Sequence, residues 1–315
     1  MKKIATVSKT MATFISCILL FSTVCKAQVL DFPRERLIQY TPEWTGERFP
    51  DGRPKVPDSI LERMKYVSIE EAWSVLQENG FDYQFERGWY MTQPDGVLAG
   101  RAVTALYMPK RPDTDKVIVE QGKKDGRNGA PIHWTINQLQ KGDVYVADTY
   151  RSVLGGPVIG GNLATSIFNK SGNGVVFNGE VRDLEQIENM KGFNCFIRGT
   201  NPTYSWSSML IGINIPINIG EVTVMPGDII LGKKAGIIVI PPHLAEKVCK
   251  RSEFTRLKDE FGFQRLKEGK YTPGQIDGTW PEEAEKDFTN WLKENIDKLT
   301  VPREQVLEII KERTK

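Results

Sequence analysis

The rhythm of apolar positions changes three times along this chain. From residue 11 to 24 the sequence is almost continuously apolar, preceded by Lys2, Lys3 and Lys9 and followed by Lys26 and Ala27. A basic start, an apolar centre and a small residue at the exit make the layout of a secretory signal peptide, and the run falls short of the roughly 20 residues that span a bilayer. Residues 1–27 are therefore expected to be cleaved, leaving an exported (periplasmic or secreted) chain that begins at Gln28; an uncleaved anchor is the competing reading. Residues 28–67 form an N-terminal arm whose first part, 28–56, is dense in Pro, Arg and Asp and reads as irregular. Ser68 and Glu71 form a capping box, which opens a helix running to about Asn79 and Gly80.

From Gly100 the texture becomes short apolar runs broken by Gly and Pro. Strands are predicted at 102–108, 116–120, 144–147, 175–177 and 194–197. Residues 213–224 alternate around Pro216 and Gly220, the sequence Met225-Pro226-Gly227-Asp228 makes a turn, and 229–231 and 237–240 follow as strands. One stretch among them, 162–170, has helical spacing, with Leu163, Ile167 and Phe168 apolar and Asn162 placed to cap it. Beyond Pro242 the pattern turns helical and charged. Residues 282–299 put Ala284, Phe288, Trp291, Leu292, Ile296 and Leu299 on one face, and Pro302 opens a last helix, 302–314. The sum is an α/β body over 68–250 with a helical extension over 251–315. About 288 residues after cleavage suffice for one large domain with extensions or for two small ones.

Charge alters that picture little. The chain holds 42 Lys+Arg and 40 Asp+Glu. Removing the leader's four lysines leaves 38 basic against 40 acidic residues, so no electrostatic footprint for nucleic acid remains. Of four cysteines, Cys17 and Cys25 leave with the leader, and Cys195 and Cys249 read as buried free thiols. With His133 and His243 the only histidines, a His/Cys zinc site would need nearly all four of these residues to converge, and oxygen ligands are the better expectation for a metal, which favours Mg²⁺ or Mn²⁺.

The chemistry-bearing stretch lies between Gly142 and Asp183. A strand ends at Asp148, a loop with Gly160 and Gly161 leads into a helix, and a second strand ends in Asn178-Gly179-Glu180-Val181-Arg182-Asp183. Adjacent glycines allow close backbone approach, and the first N–H groups of a helix favour an anion. Arg182 offers a fork for a carboxylate, and Asp183 offers a hard oxygen ligand. Adjacent residues on an ideal strand face opposite ways, so the pair needs a turn, which Asn178-Gly179 is expected to supply. The motifs of a phosphate loop and of a dinucleotide fingerprint are absent.

The ordered set Gly-Asp-Val-Tyr-Val-Ala-Asp (142–148), Gly-Gly-Asn-Leu-Ala-Thr (160–165), Gly-Val-Val-Phe-Asn-Gly-Glu-Val-Arg-Asp (174–183) and Val-Thr-Val-Met-Pro-Gly-Asp (222–228) resembles the RraA-like family over roughly 68–250, with 100–104 matching its early strand. That family includes regulators of ribonuclease E and metal-dependent aldolases of 4-hydroxy-4-methyl-2-oxoglutarate that also decarboxylate oxaloacetate. The resemblance implies a compact swivelling β/α/β core assembled as a homotrimer or hexamer. It implies that Gly160, Gly161, Asn162 and Leu163 bind substrate through backbone N–H groups. Arg182 would hold the substrate carboxylate and Asp183 the divalent cation. Two positions depart from the enzymatic pattern. Asn162 stands where many relatives carry an acid, and Lys233-Lys234-Ala235-Gly236 replaces an acidic stretch. An amide cannot act as a base, so the proton would pass to a metal-bound water or to another acid such as Asp148 or Glu180. The expected function is a lyase that releases pyruvate from a 2-oxo acid, the alternative a non-catalytic metal- or anion-binding module. His133 reads as structural.

Overall fold

The computed structural model describes residues 30–150 and 157–314; the leader of the sequence reading lies outside them. In chain order the first half comprises α1 (Arg34–Tyr40), α2 (Asp58–Met64), α3 (Ile69–Glu78), β1 (Phe85–Glu86), β2 (Tyr90–Met91), β3 (Leu98–Pro109), α4 (Pro112–Lys124), α5 (Pro131–Gln138) and β4 (Asp143–Asp148). Then follow α6 (Gly161–Ser171), β5 (Val175–Asn178), β6 (Glu180–Val181), α7 (Leu184–Glu188), β7 (Cys195–Ile197), β8 (Gly199–Thr200) and β9 (Ser208–Ile213). The remainder is β10 (Ile217–Ile219), β11 (Val222–Val224), β12 (Ile229–Lys233), β13 (Gly236–Ile240), α8 (Ala245–Lys267), α9 (Pro273–Ile276), α10 (Glu282–Asn295) and α11 (Arg303–Arg313).

Nine strands make one mixed sheet in the order β1-β13-β12-β3-β4-β5-β7-β2, with β9 also paired to β3. The central β3, β4, β5 and β7 run parallel. Such strands are covered on both faces, so each carries a continuous apolar run rather than an alternating one. On β4, Tyr145 and Ala147 pack with α5 and α6 in one core, while Val144 and Val146 face the hairpin β10–β11 in another. A third core joins α2, α3 and α8 to β12 and β13. The C-terminal helices enclose a fourth, around Phe261, Phe288 and Trp291. Asp148 and Asn178 lie side by side in register at the carboxyl ends of β4 and β5. The loops leaving those ends build the candidate site.

The fold agrees with the α/β reading, and the capping box at Ser68 and Glu71 is present in both directions. Four local expectations are corrected. Residues 116–120 lie inside α4, not in a strand: Pro112 opens the helix, Asp113 and Asp115 occupy its first turn, Lys123 and Lys124 its last, and only Ile118 and Gly122 are buried. The helix-end charges and the i, i+4 burial outweigh the strand preference of the Val-Ile-Val run. The 28–56 segment is not irregular throughout, since it contains α1. Its residues also enter the body. Leu30 joins the main core, Asp31 bridges to Ile213, and the Arg53 guanidinium, 1 % exposed, reaches Asp143 at 3.3 Å and Asp51 at 2.8 Å. Strand β9, which the sequence did not reveal, pairs with β3 across a register shift at Leu106 and Tyr107. Finally, the N-cap of α6 is Gly160 rather than Asn162, which sits inside the first turn. Cys195 and Cys249 are buried free thiols, as read from the sequence.

Candidate active site

Gly160 is in extended backbone (φ −135°, ψ −167°) and opens α6 without a side chain of its own to cap it. The cap comes from elsewhere in the sequence. The Gly161 N–H donates to Asp183 Oδ2 at 3.0 Å, satisfying one of the four donors that a helix start leaves unpaired. A second stitch joins the same two loops, where the Arg182 N–H donates to the Ile159 carbonyl at 3.2 Å.

The chain bends at Gly179, as expected, where β5 ends and β6 passes to a separate pairing with β8, and it turns again at Asp183. Asp183 itself is left-handed (φ 58°, ψ 43°) and precedes α7. Asp and Asn tolerate this region better than other residues with a Cβ. The turn brings Asp183 round beside Arg182, with Nε 3.5 Å from Asp183 Oδ2. Both side chains remain partly exposed, at 42 % and 34 %.

The glycines make room for this proximity. A Cβ on Gly160 would fall 2.3 Å from Asp183 Oδ2 and 2.7 Å from Arg182 Nε; one on Gly161 would fall 2.0 Å from Gln186 Oε1. Around the pair lies a cavity of about 340 Å³, lined by Pro157, Val158, Ile159, Gly160, Asn162, Leu163, Arg182, Asp183 and Gln186, with Ile132, Tyr204 and Ser205 completing the wall. The N–H groups of Asn162 and Leu163 belong to the first turn of α6, where no intrahelical acceptor exists. The helix start, Arg182 and the cavity together make a place for an anion.

The structure thus brings Gly160, Asn162, Leu163, Arg182 and Asp183 to one cavity, with Gly161 bonded directly behind it. Asp148 and Glu180 are not among the side chains lining it. Asp148 Oδ1 accepts from the Tyr150 N–H and the Asn178 Nδ2, both at 3.0 Å, which commits it to the strand ends. His133 Nδ1 accepts the Ala130 N–H at 3.1 Å at the start of α5, a structural role. The sequence reading missed Ile132, Gln186, Tyr204 and Ser205. Gln186 was findable, since it lies three residues after Asp183, one helical turn on, once a helix starts there. Ile132 follows a Pro131 that opens a helix, a weaker signal. Nothing in the sequence marks Tyr204 or Ser205.

Whether these residues suit a divalent cation turns on the donors. Among the described residues no group of three His, Cys, Asp or Glu side chains comes together. Asp183 is the single carboxylate among the described residues that line the cavity, and its Oδ2 is oriented by the Gly161 N–H. One oriented, partly exposed hard oxygen fits Mg²⁺, which keeps several waters and is held through one or two carboxylates plus its substrate.

A family model described as RraA-like, Aldolase/RraA, matches residues 69–239, more than half of the chain. The chain belongs to the RraA-like family. A Halalkalibacterium halodurans protein, named provisionally as a 4-hydroxy-4-methyl-2-oxoglutarate aldolase, is 32 % identical over 127 residues, which is 39 % of this RraA-like chain and 58 % of that protein. A Thermus thermophilus protein named 4-hydroxy-4-methyl-2-oxoglutarate aldolase is 29 % identical over 84 residues, covering 27 % of this chain and 51 % of that one. The RraA-like chain therefore spans between about half and three-fifths of these curated relatives. Among solved structures, RraAS2 of Streptomyces coelicolor, described as an unusual member of the RNase ES inhibitor RraA family, superposes with a TM-score of 0.57 at 23 % identity. It covers 67 % of this chain and all of that one, and establishes likeness of fold.

Proposed function

We propose that this protein is a divalent-metal-dependent carbon–carbon lyase of the aldolase and decarboxylase type, acting on a 2-oxo acid and releasing pyruvate. The observation that carries the reading is the Asp183 carboxylate, set beside Arg182 by a left-handed turn and oriented by the Gly161 N–H at the mouth of an anion-favouring helix. The resemblance to proteins named as aldolases supports it.

Asp183 would hold Mg²⁺ or Mn²⁺. When bound, such a cation withdraws electron density from a 2-oxo group and lowers the cost of developing enolate charge. The chain's own residues do the rest. Arg182 grips the substrate carboxylate through its guanidinium fork and offsets its charge. The first-turn N–H groups of Asn162 and Leu163 point fixed dipoles at the anion and cost no reorganisation during reaction. Substrate held by both is confined to one orientation. Asn162, exposed at the helix start, cannot take a proton, so the proton released during cleavage leaves to water in the open cavity.

The test is pyruvate release from oxaloacetate and from 4-hydroxy-4-methyl-2-oxoglutarate by the chain from Gln28, with and without Mg²⁺ or Mn²⁺, with Asp183→Ala as control. Metal-dependent release lost in the control is expected. Bound metal with no release from either compound would sink the reading for these substrates. The Asn162 amide favours a second reading in which the cavity binds a metal and an anion without chemistry. The leader pattern of residues 1–27 supports export of the mature chain, and the family resemblance supports assembly as a homotrimer or hexamer.

A further inference from the structure

A second cavity, of about 350 Å³, lies at the other end of the sheet. Asp228 stands just before β12, and its carbonyl accepts the N–H of Ala102, which is level with Val144 at the start of β4. The candidate active site instead uses loops leaving the carboxyl ends of β4 and β5, and the two cavities share no described lining residue. Four rings line this second cavity. Tyr40 ends α1, Trp44 sits in the turn after it, Phe81 follows α3 and His243 follows β13. Arg48 donates to the Thr41 and Trp44 carbonyls at 2.8 and 3.1 Å, which fixes the turn that carries Trp44. The Phe81 and His243 rings pack with centroids 5.9 Å apart. Burial holds the His243 imidazole below its usual range, against the pull of Glu43, so it is uncharged at neutral pH.

The charged side chains lining the cavity, among the described residues, are both carboxylates: Glu43, exposed at the rim, and Asp228, 4 % exposed. Asp228 offers more than its turn requires. Its Oδ2 accepts the Met225 N–H at 2.8 Å and closes the turn over 225–228, while no described residue donates to Oδ1. A buried carboxylate with one oxygen unmatched is costly, and asparagine would close the same turn without that cost.

We propose that this cavity binds a small organic cation, a primary ammonium on an apolar or aromatic body, whose N–H groups pair with Asp228 while the body lies among Tyr40, Trp44, Phe81 and His243. The proposal is independent of the lyase reading. Aromatic faces attract a cation and cover its apolar body, and the free Asp228 oxygen supplies a charge-assisted hydrogen bond. Glu43 adds a field of the same sign at the entrance. Burial raises the Asp228 carboxyl to about 8, so at neutral pH the empty cavity mostly holds a proton there. The ammonium takes the place of that proton, which leaves to solvent. An uncharged ligand would leave the proton where it is and gain no ion pair.

The chain from Gln28 is titrated calorimetrically at pH 7 with 2-phenylethylammonium and with 2-phenylethanol, which has the same body and no charge. The ammonium is expected to bind at least about tenfold more tightly, as befits a hydrogen bond to a charged group. Titrations in phosphate and in HEPES, whose ionisation enthalpies differ, are expected to show most of one proton released per ligand bound. Asp228→Asn keeps an acceptor for the Met225 N–H, and it is expected to abolish both the preference and the release, with a thermal melt reporting that it folds. Trp44→Ala, in the arm, is expected to weaken ammonium binding about threefold or more while the proton release persists. Equal or tighter binding of the alcohol by the unmodified chain overturns the proposal. So does failure of the ammonium to bind, binding without proton release, or a preference that survives Asp228→Asn.

Discussion

The Gly161 N–H and the Asp183 carboxylate meet at 3.0 Å across 22 residues of chain. One contact caps α6 and fixes the carboxylate in the cavity, so the start of the helix and the orientation of Asp183 depend on each other.

Gly160→Ala tests how tightly this corner is packed. The backbone of Gly160 is extended, which alanine adopts freely, so no conformational strain enters. Its Cβ, however, would fall 2.3 Å from Asp183 Oδ2 and must displace it. Mg²⁺-dependent turnover is expected to fall at least about tenfold, since small misplacements cost that much and more. Steady-state kinetics beside a thermal melt would show it, and unchanged turnover would mean that the corner yields without consequence.

Replacing Asp183 in two ways separates charge from cap. Asparagine keeps an acceptor for the Gly161 N–H and tolerates the left-handed backbone, so Asp183→Asn should melt within a few degrees of the parent. It should nonetheless lose metal-dependent pyruvate release by roughly a hundredfold or more. Asp183→Ala loses the cap as well and places alanine at φ 58°, which should lower stability by about 1–2 kcal/mol. Comparison of melting temperatures and of Mg²⁺ titrations checks both halves.

Asp228, at the start of the strand pair β12–β13, gives a pH dependence. Burial pushes its carboxyl up to about 8, and the Met225 N–H bonded to it only partly opposes that. The folded value lies above the ordinary 3.8, so the folded chain keeps a proton there that the unfolded chain has lost. The stability from the neutral carboxyl is full below pH 3.8 and declines as pH rises towards about 8. Asp228→Asn retains an acceptor for Met225 and removes the titration. Between pH 5 and pH 8 the parent should lose more stability in urea than this variant, and parallel profiles would refute the assignment.

Arg53 is expected to matter more than an exposed arginine of an arm. It is buried against Asp143, itself fully buried, and its removal leaves that carboxylate with the Gln140 N–H at 2.9 Å and Arg101 Nε at 3.6 Å. Arg53→Ala should cost about 3–5 kcal/mol, read as a shift of the urea midpoint. Arg53→Lys should recover part of this, because one ammonium cannot span the Asp51 and Asp143 contacts that the planar fork reaches.

Much of the sheet was legible because its strands are buried on both faces and read as unbroken apolar runs, as at 144–147, 175–177 and 237–240. The same signal misled at 116–120, where a Val-Ile-Val run sits on a helix with one buried stripe; the deciding marks were Pro112 and the acids after it. Strand β9 escaped notice because its apolar residues begin at a serine and include Gly212, and its register shifts against β3. In the site, Gly160, Gly161, Arg182 and Asp183 stood out by type and order. The wall formed by Ile132, Tyr204 and Ser205 did not, because those residues come from remote segments and share no spacing. Capping by Asp183 was also beyond local reading, since a cap supplied from 22 residues away leaves no pattern at the helix itself.

Helix α8 belongs to two cores at once. Its first turns bury Ala245, Val248 and Cys249 against β12 and β13, and its later turns bury Leu257 and Phe261 among the C-terminal helices. At 23 residues it is one uninterrupted hydrogen-bonded rod, roughly 35 Å long at about 1.5 Å per residue. Fraying at one end removes neighbours from the turns that the other core needs. The two cores are thereby tied into a single cooperative unit, and amide exchange along α8 should reach its slow limit in both at the same free energy.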